Sequence, residues 1–217
     1  MKENYTIFEN FKLLSVSQGL TGKMTGMPAI TSSMLCNENC QKLMQIKGSV
    51  CEKCYTKKYL ACRPNTERCY RENTDLLSSS IIPKNQLPFV NAAYCRLETF
   101  GDIINATHLQ NYVNLIKKNN HCIFSLFTKN YTVVFDYFKT HKQPSNLSIV
   151  ISSLLLNTPF EMERCVGLKN LKIFTVYTKA YAEKHNVTIV CGKNRCIDCR
   201  RCYTKNKTPI FITELLK

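Results

Sequence analysis

The sequence predicts an α/β fold, a partial (β/α) barrel of about six parallel strands with cysteine-rich, metal-binding loops at its carboxyl-terminal rim. Three observations lead there. Short, almost continuously apolar runs alternate with segments of helical periodicity, as in βαβ units whose sheet is covered on both faces. Polar and cysteine groups fall where those runs end, which is where parallel folds carry their chemistry. Four cysteines crowd between 191 and 202, more than a core needs. A doubly wound open sheet is the alternative architecture.

Residues 1–26 are polar, are punctuated by Gly19, Gly22 and Gly26, and read as an N-terminal arm. The barrel-like domain then covers 27–190, and a cysteine-rich segment, 191–217, packs on it. Strands are expected at 27–33, 88–96, 121–128, 147–153 and 171–177, with a short sixth at 188–190. Leu109, Tyr112, Val113 and Ile116 recur at helical spacing and predict a helix over 108–119. A second helix is expected at 131–140, a short helix or turn at 159–166 and a helical turn at 181–185. The run C-E-K-C-Y at 51–55 resembles the entrance to a further helix.

Length and composition narrow the function classes. The 217 residues, 44% of them hydrophobic, suffice for one sizeable core. No apolar run approaches the ~18 residues of a membrane span, and the first residues lack the apolar stretch and cleavage site of a signal peptide. A cytoplasmic protein is expected, with its thirteen cysteines reduced and free to bind metal. The formal charge of +15 favours a polyanionic partner, nucleic acid or nucleotide. The basic residues are spread along the chain, as coding bias would also produce, and cluster most densely at Lys193, Arg195, Arg200, Arg201, Lys205 and Lys207.

The cysteines carry the most specific signal. Cys191, Cys196, Cys199 and Cys202 are separated by Lys193, Asn194, Arg195, Asp198, Arg200 and Arg201, residues that favour water. Thiols this close cannot be joined to one another without strain, whereas a metal can take them all. Thiolates select zinc or iron–sulfur. The recurrence of cysteine every third residue at 196, 199 and 202 follows ferredoxin-like runs and favours an iron–sulfur cluster, 4Fe-4S; zinc is the alternative. Cys51 and Cys54 form a C-x2-C pair, preceded by Cys36 and Cys40. Cys95 and Cys122, inside expected strands, read as core thiols. Cys62 and Cys69 stay open between bystander thiols and further ligands, Cys165 reads as a bystander, and the four histidines show no paired ligand spacing.

The expected strand ends assemble a candidate rim. The first leads to Cys36 and Cys40, the second to Arg96, Glu98 and Asp102, and the third to Thr128 and Lys129. The fourth leads to Ser152 and Ser153, the fifth to Tyr177, Thr178 and Lys179, and the sixth to Cys191. Arg96, Glu98, Asp102 and Lys129 are the catalytic candidates: arginine grips phosphate or carboxylate, and carboxylates move protons. Gly101, Thr128, Ser153 and Tyr177 are candidates for holding a cofactor.

The segments M-P-A-I-T-S-S-M-L-C, C-E-K-C-Y-T-K-K-Y-L-A-C-R-P-N-T-E-R-C-Y-R-E-N, C-R-L-E-T-F-G-D-I, I-F-S-L-F-T-K-N and C-I-D-C-R-R-C-Y occur in that order. Over about 27–203 they resemble the phage gene product 88 family, which looks like a reduced relative of the radical S-adenosylmethionine barrels. The resemblance implies a first thiol group of Cys36, Cys40, Cys51 and Cys54. It implies a strand-end motif of Arg96, Gly101 and Asp102, a second at Thr128 and Lys129, and a second thiol group of Cys191, Cys196, Cys199 and Cys202. The chain lacks both C-x3-C-x2-C and Gly-Gly-Glu, which weighs against S-adenosylmethionine. The leading expectation is an iron–sulfur enzyme of the host cytoplasm acting on a nucleic acid or phosphorylated substrate. The alternatives are a zinc- or cluster-stabilised protein that binds nucleic acid, and an accessory protein that binds a host protein, neither with turnover.

Overall fold

The computed structural model describes residues 13–18, 20–161 and 167–216. Gly19, Cys165 and most of the expected turn at 159–166 lie outside the described residues. Six strands, β1 (Ala29–Ile30), β2 (Tyr94–Leu97), β3 (Ile123–Thr128), β4 (Leu147–Ser152), β5 (Leu171–Tyr177) and β6 (Ile210–Leu215), form one sheet. Every pair is parallel, and the spatial order is the chain order. β1 and β6 are not paired, so the sheet is open and the expected barrel does not close. Equally, the order never reverses, as it would at the switch point of a doubly wound sheet.

Seven helices among the described residues accompany the strands: α1 (Glu38–Met44), α2 (Tyr55–Ala61), α3 (Pro64–Ser79), α4 (Ala106–Lys118), α5 (Tyr131–Thr140), α6 (Lys179–Lys184) and the single turn α7 (Cys196–Cys199). In α4, Asn105 caps the first turn by accepting from the His108 N–H at 2.9 Å, and Leu109, Tyr112, Val113 and Ile116 face inward as their spacing predicts. α3 was not expected. It opens on Pro64, whose fixed φ suits the first helical position, and buries Tyr70, Asn73, Thr74 and Leu77, an i, i+3, i+4, i+7 stripe that is half polar. None of the described helices is long and apolar enough to cross a membrane.

The two faces of the sheet differ in chemistry. Cys95, Leu97, Phe124, Leu126, Leu147, Ile149, Ile151, Leu171 and Ile173 share one face and form the main core with α3, α4 and α5. Side chains alternate along a strand, so the other face carries Arg96, Ser125 and Ser148, in register across β2, β3 and β4, together with Lys172 of β5. No helix of the main core covers this face. The segment between α6 and β6 does: a 3-10 turn at Arg201–Tyr203 crosses it, and Tyr203 packs on Met24, Met27, Tyr94 and Ile123.

This corrects the expected position of the tail. Residues 188–190 are not a strand, and the sixth strand follows the cysteines instead of leading into them. Cys191 lies beside the far part of β6, where its N–H and that of Val190 donate to Thr213 O. Asn206 bonds to Asn170 and Leu171 at the opposite end of β5. The tail therefore traverses the sheet from one end to the other and does not sit wholly on the rim. It also covers the open edge of β6, as Ser17 covers that of β1 through two backbone bonds to Ala29.

Lys172 fixes the crossing. Fully buried, its ammonium donates to Ser148 Oγ at 2.9 Å, Asn170 O at 3.0 Å and Thr204 O, so all three protons are used. Buried asparagines do the same for loops: Asn73 bonds Ser15 and Thr31, Asn111 bonds Leu77, Ser80 and Ile82, and Asn119 bonds Pro88 and Val90. Lys172→Met keeps the stem but removes the donor to Ser148 Oγ, Thr204 O and Asn170 O, the last of which retains the Ile149 N–H. It is expected to lower unfolding free energy by about 1–3 kcal/mol, read as the urea midpoint, with unchanged far-ultraviolet circular dichroism.

Candidate functional site

The loop after β2, Glu98 to Asp102, is the centre of the rim. Glu98 adopts a left-handed conformation, φ 58°, rare for a residue with a side chain. The turn swings its carboxylate into the protein, where it is 2% exposed. One oxygen accepts from the Tyr112 hydroxyl and lies 3.2 Å from His108 Nε2. The other accepts from Ser32 Oγ at 2.9 Å, with the Ser32 N–H at 3.3 Å and the Thr31 hydroxyl at 3.4 Å. His108 Nδ1 accepts from the Ile104 N–H at 3.3 Å, which leaves the proton on Nε2, facing Glu98. Burial alone would push the Glu98 carboxyl up, but the nearby His108 ring and the donors from Tyr112 and Ser32 outweigh it and hold it below the ordinary value.

Gly101 makes this turn possible. A Cβ there would lie under 3.0 Å from the Ser32 hydroxyl, the Ser32 carbonyl and the Glu98 carboxylate. Asp102 then ties three loops. Its carboxylate accepts from the Thr128 hydroxyl and from the N–H groups of Ile103 and Lys129, both at 2.8 Å. Its carbonyl accepts from Ser32 Oγ at 3.3 Å and Asn37 Nδ2 at 2.8 Å. Here burial dominates over those donors and raises the Asp102 carboxyl.

Beside this network lies a cleft of ≈ 360 Å³, lined in part by Asn39, Lys129, Asn130, Ser152, Ser153 and Phe160. Asn39 Nδ2 is buried there without a partner among the described residues. Cys40, Cys51 and Cys54 approach the same region, with Lys129 and Asp102 near both Cys40 and Cys51. Burial pushes these two thiols up. Cys36 turns elsewhere, next to Glu67 and Arg71 of α3. Cys69 packs into the cluster that takes Cys40 and Cys54, a neighbour that its own spacing did not announce.

The tail thiols come together at a different place. Cys191, Cys196, Cys199 and Cys202 line one pocket of ≈ 40 Å³ with Tyr203 and Ile212. Lys23 Nζ lies 3.7 Å from Cys191 Sγ and 2.6 Å from Glu214 Oε1. Burial raises Cys191, Cys196 and Cys202, the last to about 12, while Lys23 opposes the shift at Cys191 and Cys196 and Arg96 opposes it at Cys196 and Cys202. Arg96 stacks on the Phe127 ring; its buried Nε and the neighbouring Ser125 hydroxyl have no partner. Among the described residues, no group of three or more Cys, His, Asp or Glu side chains is arranged to hold a metal ion.

The expected residues therefore divide. Arg96 lies beside the tail thiols on the face the tail covers, whereas Lys129 and Ser153 line the rim cleft. Glu98, Gly101, Asp102 and Thr128 form the buried wall behind it, and Tyr177 stacks on Tyr181 of α6. His108 and Tyr112 were missed as polar partners. The only sequence trace of His108 is its position three residues after a capping asparagine.

Gly101→Ala is expected to cost about 1–3 kcal/mol by overpacking against Ser32 and Glu98, measured by thermal or urea unfolding. Glu98 titrates below its usual 4.5 in the folded state, so its charged form stabilises the fold. That contribution is complete above about pH 4.5 and is lost as pH falls through the lower folded value. Glu98→Gln should therefore reduce stability at neutral pH and flatten its dependence on pH below that point.

A model of the family described as gene product 88 matches residues 9–211, nearly the whole chain. No curated protein and no solved structure matches it. The match includes β1, the rim loop with Gly101 and Asp102, and all the tail cysteines. The chain belongs to the gene product 88 family.

Proposed function

We propose that this phage-family protein is an iron–sulfur protein of the host cytoplasm, a redox or modifying enzyme that takes a nucleic acid or another phosphorylated substrate. The observation that carries the metal is the convergence of four tail thiols on one pocket flanked by Lys23 and Arg96. A thiolate-held centre is anionic, and cations at that distance offset the cost of burying it. Cys191, Cys196, Cys199 and Cys202 would hold it, and when bound it would supply or accept an electron. Arg96 brings an unused donor to the same side of the sheet.

The rim cleft is the substrate site in this proposal. Lys129 and the unpartnered Asn39 amide both present donors, which suits phosphate or carboxylate oxygens. Asp102 acts through Lys129, whose backbone it holds, and Glu98 through Ser32 and Gly101. Both carboxylates thus position other groups.

A second reading has its own support. A pocket of ≈ 40 Å³ has room for little more than one ion, and the tail packs as a cover for the sheet. Zinc would staple that cover in a protein that binds nucleic acid or a host protein without turnover. Iron, acid-labile sulfide and zinc per chain, measured on protein purified without oxygen, separate the readings. Iron with matching sulfide and a broad visible absorbance, lost in Cys196→Ser and Cys202→Ser, supports the first. Colourless zinc-bound protein supports the second, and a chain that retains neither metal overturns both.

A further inference from the structure

Beside the first thiol group an aromatic cluster runs outward from buried Phe100 and Tyr70 through half-buried Tyr59 to exposed Tyr55. Tyr59 of α2 stacks on Phe100 with centroids 4.6 Å apart and planes at 10°, and Tyr70 of α3 stacks on it at 5.6 Å and 20°. Tyr55 meets Phe100 edge-on at 6.3 Å. The Arg63 guanidinium lies over Tyr59, 4.0 Å from its centroid. Phe100 is fixed from beneath, since its N–H donates to Thr31 Oγ1 at 3.0 Å, and it immediately precedes Gly101 and Asp102. The stack therefore begins in the rim network and ends at an exposed cation.

The outer side of α2 continues it. Thr56 and Leu60 point inward, leaving Tyr55, Lys57 and Lys58 outward, with Tyr55 66% exposed. Lys53 and Arg63 are exposed on either side. No ion pair among the described residues engages Lys53, Lys57, Lys58 or Arg63. The inner rings cover one another and Arg63 covers Tyr59, so Tyr55 is the ring left open, set among cations with no ion-pair partner among the described residues. That combination suits a single-stranded nucleic acid: phosphates meet the ammonium groups and an unpaired base stacks on Tyr55. A duplex keeps its base faces hidden and would use only the charges.

We propose that this α2 face grips single-stranded nucleic acid and leads it toward the rim cleft. The proposal deepens the nucleic-acid part of the functional reading and rests on it, but places the grip away from the more basic tail.

The test is fluorescence anisotropy of the full chain with labelled oligo-dT and oligo-U of about 20 nucleotides and a hairpin duplex, over a range of salt. Tyr55→Ala combined with Lys58→Glu is expected to weaken single-strand binding about tenfold or more. Tyr55→Phe should retain affinity, and Lys57→Glu should reduce both affinity and its salt dependence. Lys205→Glu with Lys207→Glu, on the tail, should bind as the parent does. All these positions are exposed, and unchanged melting temperatures verify folding. Loss of binding in the tail variant with α2 variants unaffected overturns the surface while sparing the nucleic-acid reading. Preference for the duplex overturns the single-strand assignment. A parent protein that binds none of the probes removes both.

Discussion

A sheet that is wound in one direction has a second face to hide, and this architecture follows from how that is done. Right-handed crossovers combined with an order that never reverses put the connecting helices on one side. A closed barrel would turn the other side inward against itself. Here the sheet stays open, and a cysteine-rich connection lies across it. The polar row of Arg96, Ser125 and Ser148, with Lys172, belongs to a face that meets a polar, cationic tail instead of a greasy core. Chain topology thus accounts for the presence of cations beside thiols as much as any chemistry does.

The rim is organised by the opposite means. Glu98 and Asp102 are four residues apart in one loop, equally buried, yet are driven in opposite directions because one collects side-chain donors and the other faces burial with fewer of them. Together they bind the loop after β1, the start of α4 and the end of β3. The cleft beside them is shaped by residues that cannot themselves reach its contents. Lys129 and Asn39 are the groups that can.

Much of this was legible in the sequence. The helix at 131–140 matches α5 in both limits, the strand at 171–177 matches β5, and α4 and β3 differ from expectation by two residues at most. Periodicity suffices where one face is apolar. It failed for α3, whose buried stripe includes Asn73 and Thr74, because those side chains bond to backbone instead of packing as hydrocarbon. Asn73, Asn111 and Asn119 act as buried backbone partners for loops, a role that composition alone does not reveal. The six-residue β6 was not expected: it is an edge strand in which Ile212 alone is buried, so it lacks the buried run of the inner strands. The strand-end pattern grouped Arg96 with Asp102, but a strand residue and the loop after it can face opposite sides of a sheet. Cys36 separated from its group for a similar reason: three residues of 3-10 turn before α1 rotate it toward α3.

Placing β6 after the tail has a consequence for how the molecule is made. β5 ends at Tyr177 and β6 at Leu215, so a ribosome adding ~5–20 residues per second takes roughly 2–8 seconds to bridge them. Throughout that interval β5 is an unpaired edge, and until Thr204 arrives Lys172 lacks an acceptor. The thiols emerge before the strand that closes over them. Ile212 of β6 lines the pocket of the four tail thiols, so that pocket gains its last wall only when synthesis is nearly finished.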